Sequence, residues 1–225
     1  MEEKQAMKNI LIIGLGRFGR HCARKLNEMG HQVMAVDVRE DRVDAVLPYV
    51  TDGLIGNSTR MDFMKTLAVR SYDVCIVAIG DDFQSSLETT ALLKDLGAQH
   101  VVARAARDVH ARFLARNGAD EVIYPERQLA EWTAIRYSSN HILDYTPLSE
   151  EYAVYEIEIP ANWTGKSLAD LDLRRKHQIN VFAIKQGSRL IMDVHPDVPL
   201  RKNQTLLVIG NNKEVMKCFH QGKIS

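Results

Sequence analysis

A short glycine-rich stretch and the acid that follows it carry the most explicit chemistry in this chain. Gly14-Leu15-Gly16-Arg17-Phe18-Gly19 fits G-x-G-x-x-G, and Asp37 ends the next apolar run, with Val38 and Arg39 after it. Each residue type has a task at a nucleotide. Gly14 permits a tight strand-to-helix turn, Gly16 lets the backbone approach a diphosphate, and Gly19 lets the helix pack against the strand. The free N–H groups of a helix's first turn, with the helix dipole, hold phosphate. Asp37 accepts hydrogen bonds from a ribose diol and repels a 2′-phosphate, which argues against NADP, although Arg39 lies close by. A purely steric reading of the glycines leaves Asp37 unexplained.

The elements that must position these groups are legible around them. Ile10–Ile13 is an apolar strand, a helix carries Phe18, Cys22, Leu26 and Met29 and stops at Gly30, and Val33–Val36 is a second strand. Strands at Gly53–Gly56, Val74–Ile79, Val101–Ala103 and Val122–Tyr124 follow. Helices at Arg42–Val50, around Met61–Leu67, at Ser85–Leu96 and at Val109–Arg116 separate them. Alternation at this spacing predicts an α/β fold, a doubly wound Rossmann-like parallel sheet, because parallel strands require crossovers. Glu126–Ser139 reads as a further helix, and Asp144–Glu150, polar and containing Pro147, as a linker.

Beyond the linker the pattern changes. Val154–Ile159 alternates like a half-exposed strand, Ser167–Leu173 suggests a short helix, and Val181–Ile184 with Leu190–Met192 flank a turn at Gln186-Gly187-Ser188. A strand at Thr205–Ile209 and a helix at Lys213–Phe219 complete a small α+β C-terminal domain. The expected division is 1–143 and 144–225.

Ligand contacts in a doubly wound sheet come from the carboxyl ends of its strands. Those ends supply Asn57-Ser58, Gly80-Asp81, Arg104 and Glu126 besides the glycine loop and Asp37. Arg17 projects from the loop. It either reaches a terminal phosphate or is a solvated side chain at the positive end of a helix dipole, a poor place for a cation unless an anion is bound. Arg104 contacts a phosphate or carboxylate, or forms a structural salt bridge. Asn57 and Ser58 read an adenine edge or make a turn. Glu126 is either a favourable acid at a helix start or the carboxylate facing a phosphate-bound divalent cation.

Catalytic signatures are lacking. None of the seven tyrosines begins Tyr-x-x-x-Lys, there is no His-Glu-x-x-His, and Gly165-Lys166-Ser167 follows Pro160 where a P-loop requires glycine. A nucleotide site with no reacting partner suggests sensing.

Composition bounds the rest. Of 225 residues, 45% are hydrophobic, enough for a substantial core, and 29 Lys+Arg balance 29 Asp+Glu. No general attraction to nucleic acid or lipid headgroups follows. Cys22, Cys75 and Cys218 form no C-x-x-C; Cys22 and Cys75 fall at expected core positions, and buried thiols in a reducing cytosol are expected. The polar opening Met1-Glu2-Glu3-Lys4-Gln5 is unlike a signal peptide, and no apolar run approaches the ~20 residues that cross a bilayer.

On these motifs the chain resembles the cytosolic regulatory subunits of bacterial potassium uptake systems, the Ktr/Trk type built from RCK domains. The resemblance rests on the glycine loop, Asp37, and Val77-Ala78-Ile79-Gly80 with Gln84 and Ser85. It extends through Gly118-Ala119-Asp120, Tyr124-Pro125-Glu126, Gly165-Lys166-Ser167-Leu168, Leu173-Arg174, Pro196 and Leu206–Gly210. It implies binding of ATP or ADP, or of NAD or NADH, with Ala78, Ile79, Gly80 and Gln84 on the phosphate side and Arg17 at the γ-phosphate. It implies a divalent cation, Mg or Ca, held by Glu126, and a helix after Glu126 that crosses to a neighbouring subunit. It further implies dimers assembled into an octameric ring on a membrane potassium channel or transporter subunit, and so a cytoplasmic protein peripheral to the membrane. Cyclic di-AMP binding at the C-terminal lobe, at Arg174 and Asn180, is a further implication. The rival expectations are a small NAD(H)-dependent oxidoreductase and a nucleotide-blind scaffold.

Overall fold

The computed structural model describes residues 7–220, so the polar opening Met1–Gln5 lies outside the described residues. The chain divides into two compact units, Met1–Glu126 and Arg127–Ser225.

In the first unit β1 (Asn9–Ile13), α1 (Arg17–Glu28), β2 (Gln32–Asp37), α2 (Glu40–Asp44), β3 (Asp52–Ile55) and α3 (Met61–Thr66) are followed by β4 (Val74–Val77), α4 (Phe83–Asp95), β5 (Val101–Arg104), α5 (Asp108–Arg116) and β6 (Glu121–Ile123). The strands form one parallel sheet in the order β3-β2-β1-β4-β5-β6. The order reverses between β1 and β4, and a crevice opens there at the carboxyl edge. Successive side chains of β1 enter opposite cores. Leu11 and Ile13 pack with Val36, Cys75, Val77 and Leu93 on one face; Ile10 and Ile12 pack with Ala23, Val33 and Ala35 on the other. Burial on both faces is why β1 reads as an unbroken apolar run.

The helix α6 (Pro125–Ser138) starts at the end of the first unit and runs into the second. Its first residue is Pro125, where the missing N–H costs nothing. The second unit continues with β7 (Ile142–Pro147), β8 (Tyr152–Glu158), α7 (Leu168–Leu171), α8 (Leu173–His177), β9 (Ile179–Gln186), β10 (Arg189–Ile191), β11 (Gln204–Asn211) and α9 (Asn212–His220). Its sheet is antiparallel in the order β10-β9-β11-β8-β7. Tyr155, Ile157, Leu206, Val208 and Phe219 anchor its core.

Three expectations are corrected. The supposed linker at Asp144–Glu150 is largely β7, an edge strand paired with β8. An edge strand tolerates Pro147 and polar residues because one side of its backbone needs no partner. The helix expected over Arg42–Val50 runs instead over Glu40–Asp44, and a separate 3-10 turn holds Pro48. The ring removes a donor and blocks a continuous helix. The single helix expected at Ser167–Leu173 is two, broken at Asp172 in the left-handed region (φ 47°). Ser167, in the false P-loop, caps α7 reciprocally with Asp170, a structural use of that motif.

Cys75 and Cys218 are buried, Cys22 is half-buried, and all three are free. Burial pushes the Cys75 thiol up to about 12 and the Cys218 thiol to about 11. Neither is a ready nucleophile at neutral pH.

Candidate functional site

The crevice at the carboxyl edge is a cleft of about 520 Å³ within the first unit, within the usual range for small-molecule sites. Gly14, Gly16, Arg17 and Phe18 line it from the β1–α1 turn, and Asp37 and Val38 from the end of β2. Asn57 and Ser58 line it after β3, Ala78, Ile79 and Gly80 after β4, and Arg104 and Glu126 complete it. Backbone hydrogen bonds tie these ends together: Gly14 N–H to Val36 O (2.8 Å), Gly56 N–H to Asp37 O (3.0 Å) and Ala78 N–H to Ile13 O (2.7 Å).

The glycines divide their work. Gly14 has φ +95°, and a Cβ there would press on Ile79 at 3.0 Å. A Cβ on Gly19 would collide with the Gly14 carbonyl, so Gly19 serves helix packing and does not line the cleft. Nothing stands within 4 Å of the place a Gly16 Cβ would occupy. Gly16 is also the N-cap of α1, with no side-chain cap and no acid in the first turn. The opening N–H groups of α1 therefore keep their anion-binding capacity. By contrast α4 is capped by Asp82, whose side chain accepts from the Ser85 N–H at 3.0 Å.

Asp37 is only 5% exposed. Its Oδ2 accepts the Leu15 N–H at 2.6 Å and its Oδ1 the Arg39 N–H at 3.0 Å, while Arg42 Nη1 stands 3.5 Å from Oδ2. The acid thus ties the glycine loop to β2 as well as facing the cleft. The Arg39 guanidinium turns away to Asp41 (2.9 and 2.6 Å) and does not line the cleft. Gln84 also lies outside the lining, with its amide donating to Glu88 at 2.7 Å.

At the opposite end Arg104 donates to Glu126, and its guanidinium lies 5.9 Å from the centre of the Phe18 ring. Its buried Nε has no hydrogen-bond partner among the described residues. A Cβ on Gly80 would collide with this guanidinium, so glycine leaves the room Arg104 occupies. Partial burial of Glu126 opposes its charge. The backbone N–H hydrogen bond, Arg104 and the more distant Arg17 outweigh that effect and hold the carboxyl below its usual range.

Asn57 makes the turn, its Oδ1 accepting from the Thr59 N–H (3.0 Å) and hydroxyl (2.8 Å). Ser58 Oγ pairs with the buried Thr89 Oγ1 at 2.7 Å, so one of its hydrogen-bonding directions is already used within the fold. Deeper still, His110 sits 3.1 Å from Ser86 Oγ and accepts the Ala106 N–H at 3.3 Å. Burial first, then Arg107 and Arg104, push its pKa down, which favours the neutral ring this geometry needs.

Arg42, Gly56 and Asp82 line the cleft without having been singled out as site residues. Gly56 closes a readable strand and Asp82 begins a readable helix. Arg42 reaches the cleft by the path of α2, which no motif announces. Among the described residues no group of three or more His, Cys, Asp or Glu is arranged around a metal. No helix among them is long and apolar enough to cross a membrane.

Comparison with known proteins agrees with this architecture. A TrkA-N domain matches residues 10–125 and a TrkA-C domain residues 154–219. The Ktr system potassium uptake protein C of Bacillus subtilis (strain 168) is 38% identical over 93% of this chain and 95% of its own length. The Ktr system potassium uptake protein A of Vibrio alginolyticus is 31% identical over 92% and 94%. In fold the chain is similar to the GsuK RCK domain (TM-score 0.68, 17% identity, 98% of this chain and 49% of that one). It is similar also to the GsuK channel bound to NAD (TM-score 0.63, 17% identity, 94% and 38%). The two domain matches together with the near full-length Ktr relatives place the chain in the Ktr/Trk family of potassium uptake regulatory subunits, with an RCK fold.

Proposed function

We propose that this subunit senses an adenine nucleotide and passes the bound state to a membrane potassium transporter subunit. The observation that carries the reading is the cleft itself. At one end an almost buried acid sits where a ribose belongs; at the other, uncapped helix N–H groups and open space at Gly16 meet Arg17 and Arg104. ATP and ADP are the proposed ligands, with NAD and NADH as the alternative. Arg17 reads the third phosphate, Ala78, Ile79 and Gly80 line the phosphate side, and Asn57 and Ser58, which follow β3 beyond the Asp37 end, line the adenine side. Glu126 is the protein's donor to a Mg or Ca ion whose other partners are phosphate oxygens, a hard-ion site that needs little from the protein.

The ligand is bound and released unchanged; the protein is not an enzyme. A ligand shifts a shape equilibrium only through unequal affinity for the shapes, and this one acts through a nucleotide lobe (1–143) and a C-terminal lobe (144–225). In this reading the chain works as a dimer within an octameric ring in the cytoplasm, at the membrane face through its partner. Arg174 and Asn180, both exposed on the second unit, are the proposed contacts for cyclic di-AMP. The test is potassium flux into vesicles carrying the transporter partner and this subunit. ATP and ADP should give different fluxes, whereas equal flux with ATP, ADP, NADH and no nucleotide would remove the sensing role.

A further inference from the structure

We infer that Arg42 sets which ribose the cleft accepts, allowing an adenine nucleotide that carries a 2′-phosphate to enter. The inference rests on the nucleotide reading above. An acid at the end of the second strand ordinarily selects a free 2′-hydroxyl, and a nearby arginine accommodates a 2′-phosphate. This chain has both at one spot. Of the two arginines beside Asp37, Arg39 is held away from the cleft by its paired contacts to Asp41. Arg42 lines the cleft, 38% exposed, with Nη1 3.5 Å from Asp37 Oδ2.

The charges around that point favour exchange. Asp37 already accepts two backbone N–H groups, from Leu15 and Arg39, and a carboxylate offers roughly four acceptor sites. The Arg42 contact, at 3.5 Å, is the longest and weakest of the three. The guanidinium can turn from Asp37 toward an incoming anion, while the two N–H groups continue to hydrogen-bond the acid. A 2′-phosphate arriving there meets a hydrogen-bonded acid with a cation beside it, not a bare negative charge.

The test compares adenosine 5′-monophosphate with adenosine 2′,5′-bisphosphate, which differ only at the 2′ position, by calorimetric titration of the full chain. The unaltered protein should bind both. Arg42→Ala should raise the preference for the monophosphate about tenfold, the scale of losing one unit charge at a partly exposed contact. Arg42→Lys should keep most of the original ratio, and Arg39→Ala should change it little. Because the readout is a ratio on one variant, a general loss of folded protein cancels. Binding of the monophosphate without the bisphosphate, an equal loss for both in Arg42→Ala, or a ratio shift in Arg39→Ala instead would overturn the inference. Failure of the unaltered protein to bind either ligand would take down the nucleotide reading and this inference together.

Discussion

Arg104, at the end of β5, and Glu126, in the first turn of α6, form a hydrogen-bonded ion pair that closes one end of the cleft. The pairing makes a choice for any phosphate that enters. Phosphate oxygens compete with Glu126 for Arg104, and a carboxylate released in this way becomes the natural donor for a cation. On the proposed reading, anion and cation binding would be coupled through this one contact, and reciprocity would then require each to strengthen the other. Glu126→Gln should abolish the effect of Mg or Ca on ATP affinity while leaving cation-free binding within a few-fold of normal. Titrations with and without the cation check this, and a cation effect that persists in the variant would contradict it.

The same pair fixes a pH dependence. The Glu126 carboxyl is held below its ordinary value of 4.5, so its contribution is fully present above that value and fades as pH falls through the lowered one. Cation-assisted ATP binding should be flat, as far as Glu126 is concerned, from neutral pH down to about 5 and decline below it. Calorimetry across that range measures it; a decline that stays the same in Glu126→Gln would assign the effect to another titrating group, the terminal phosphate included.

Arg17 offers a test of phosphate length. It is exposed at the uncapped start of α1, an unfavourable position for a cation until an anion arrives. Arg17→Ala should weaken ATP much more than ADP, by about 1.5–3 kcal/mol for a lost charged hydrogen bond. Equal losses for both nucleotides, measured side by side, would deny it a role at the third phosphate.

Glycine substitutions separate fold from site. Gly19→Ala drives a methyl group into the Gly14 carbonyl, which is backbone and yields poorly; thermal unfolding should show a loss of about 1–3 kcal/mol. Gly80→Ala meets only the guanidinium of Arg104, the far end of a long side chain and not backbone. That variant should keep its thermal stability and lose phosphate affinity. A reversed order of stabilities would mean that the packing of the glycine loop is misread.

Asp37→Ala should cost every adenosine ligand with a free ribose diol about the same amount, near 1.5–3 kcal/mol, because that diol is common to them. Part of that loss reflects a loosened loop, since Leu15 N–H loses its partner. A much larger effect on ATP than on adenosine would place Asp37 at the phosphates.

The parts of the fold legible in the sequence are those in which local pattern and burial coincide. Ile10–Ile13 is apolar throughout because both faces of β1 are covered, and Tyr155 and Ile157 alternate with Glu156 and Glu158 because one face of β8 is not. Edge strand β7 escaped because an edge needs neither continuous apolarity nor freedom from proline. Within the cleft, the glycine loop and Asp37 announce themselves by spacing along the chain. Arg42 and Gly56 join them only through the crossing of α2 and the pairing of β3 beside β2. The pairing of the Ser58 hydroxyl with Thr89 was not legible, since Ser58 lies in the loop after β3 and Thr89 on α4.

The most direct measurement is calorimetric titration of the full chain with ATP, ADP, NAD and NADH, followed by chromatographic recovery of each ligand. Saturable binding of at least one adenine nucleotide, lost in Asp37→Ala and recovered chemically intact, is the predicted result. No binding by any of the four, or recovery of a converted ligand, would contradict a cleft that holds a nucleotide in order to sense it.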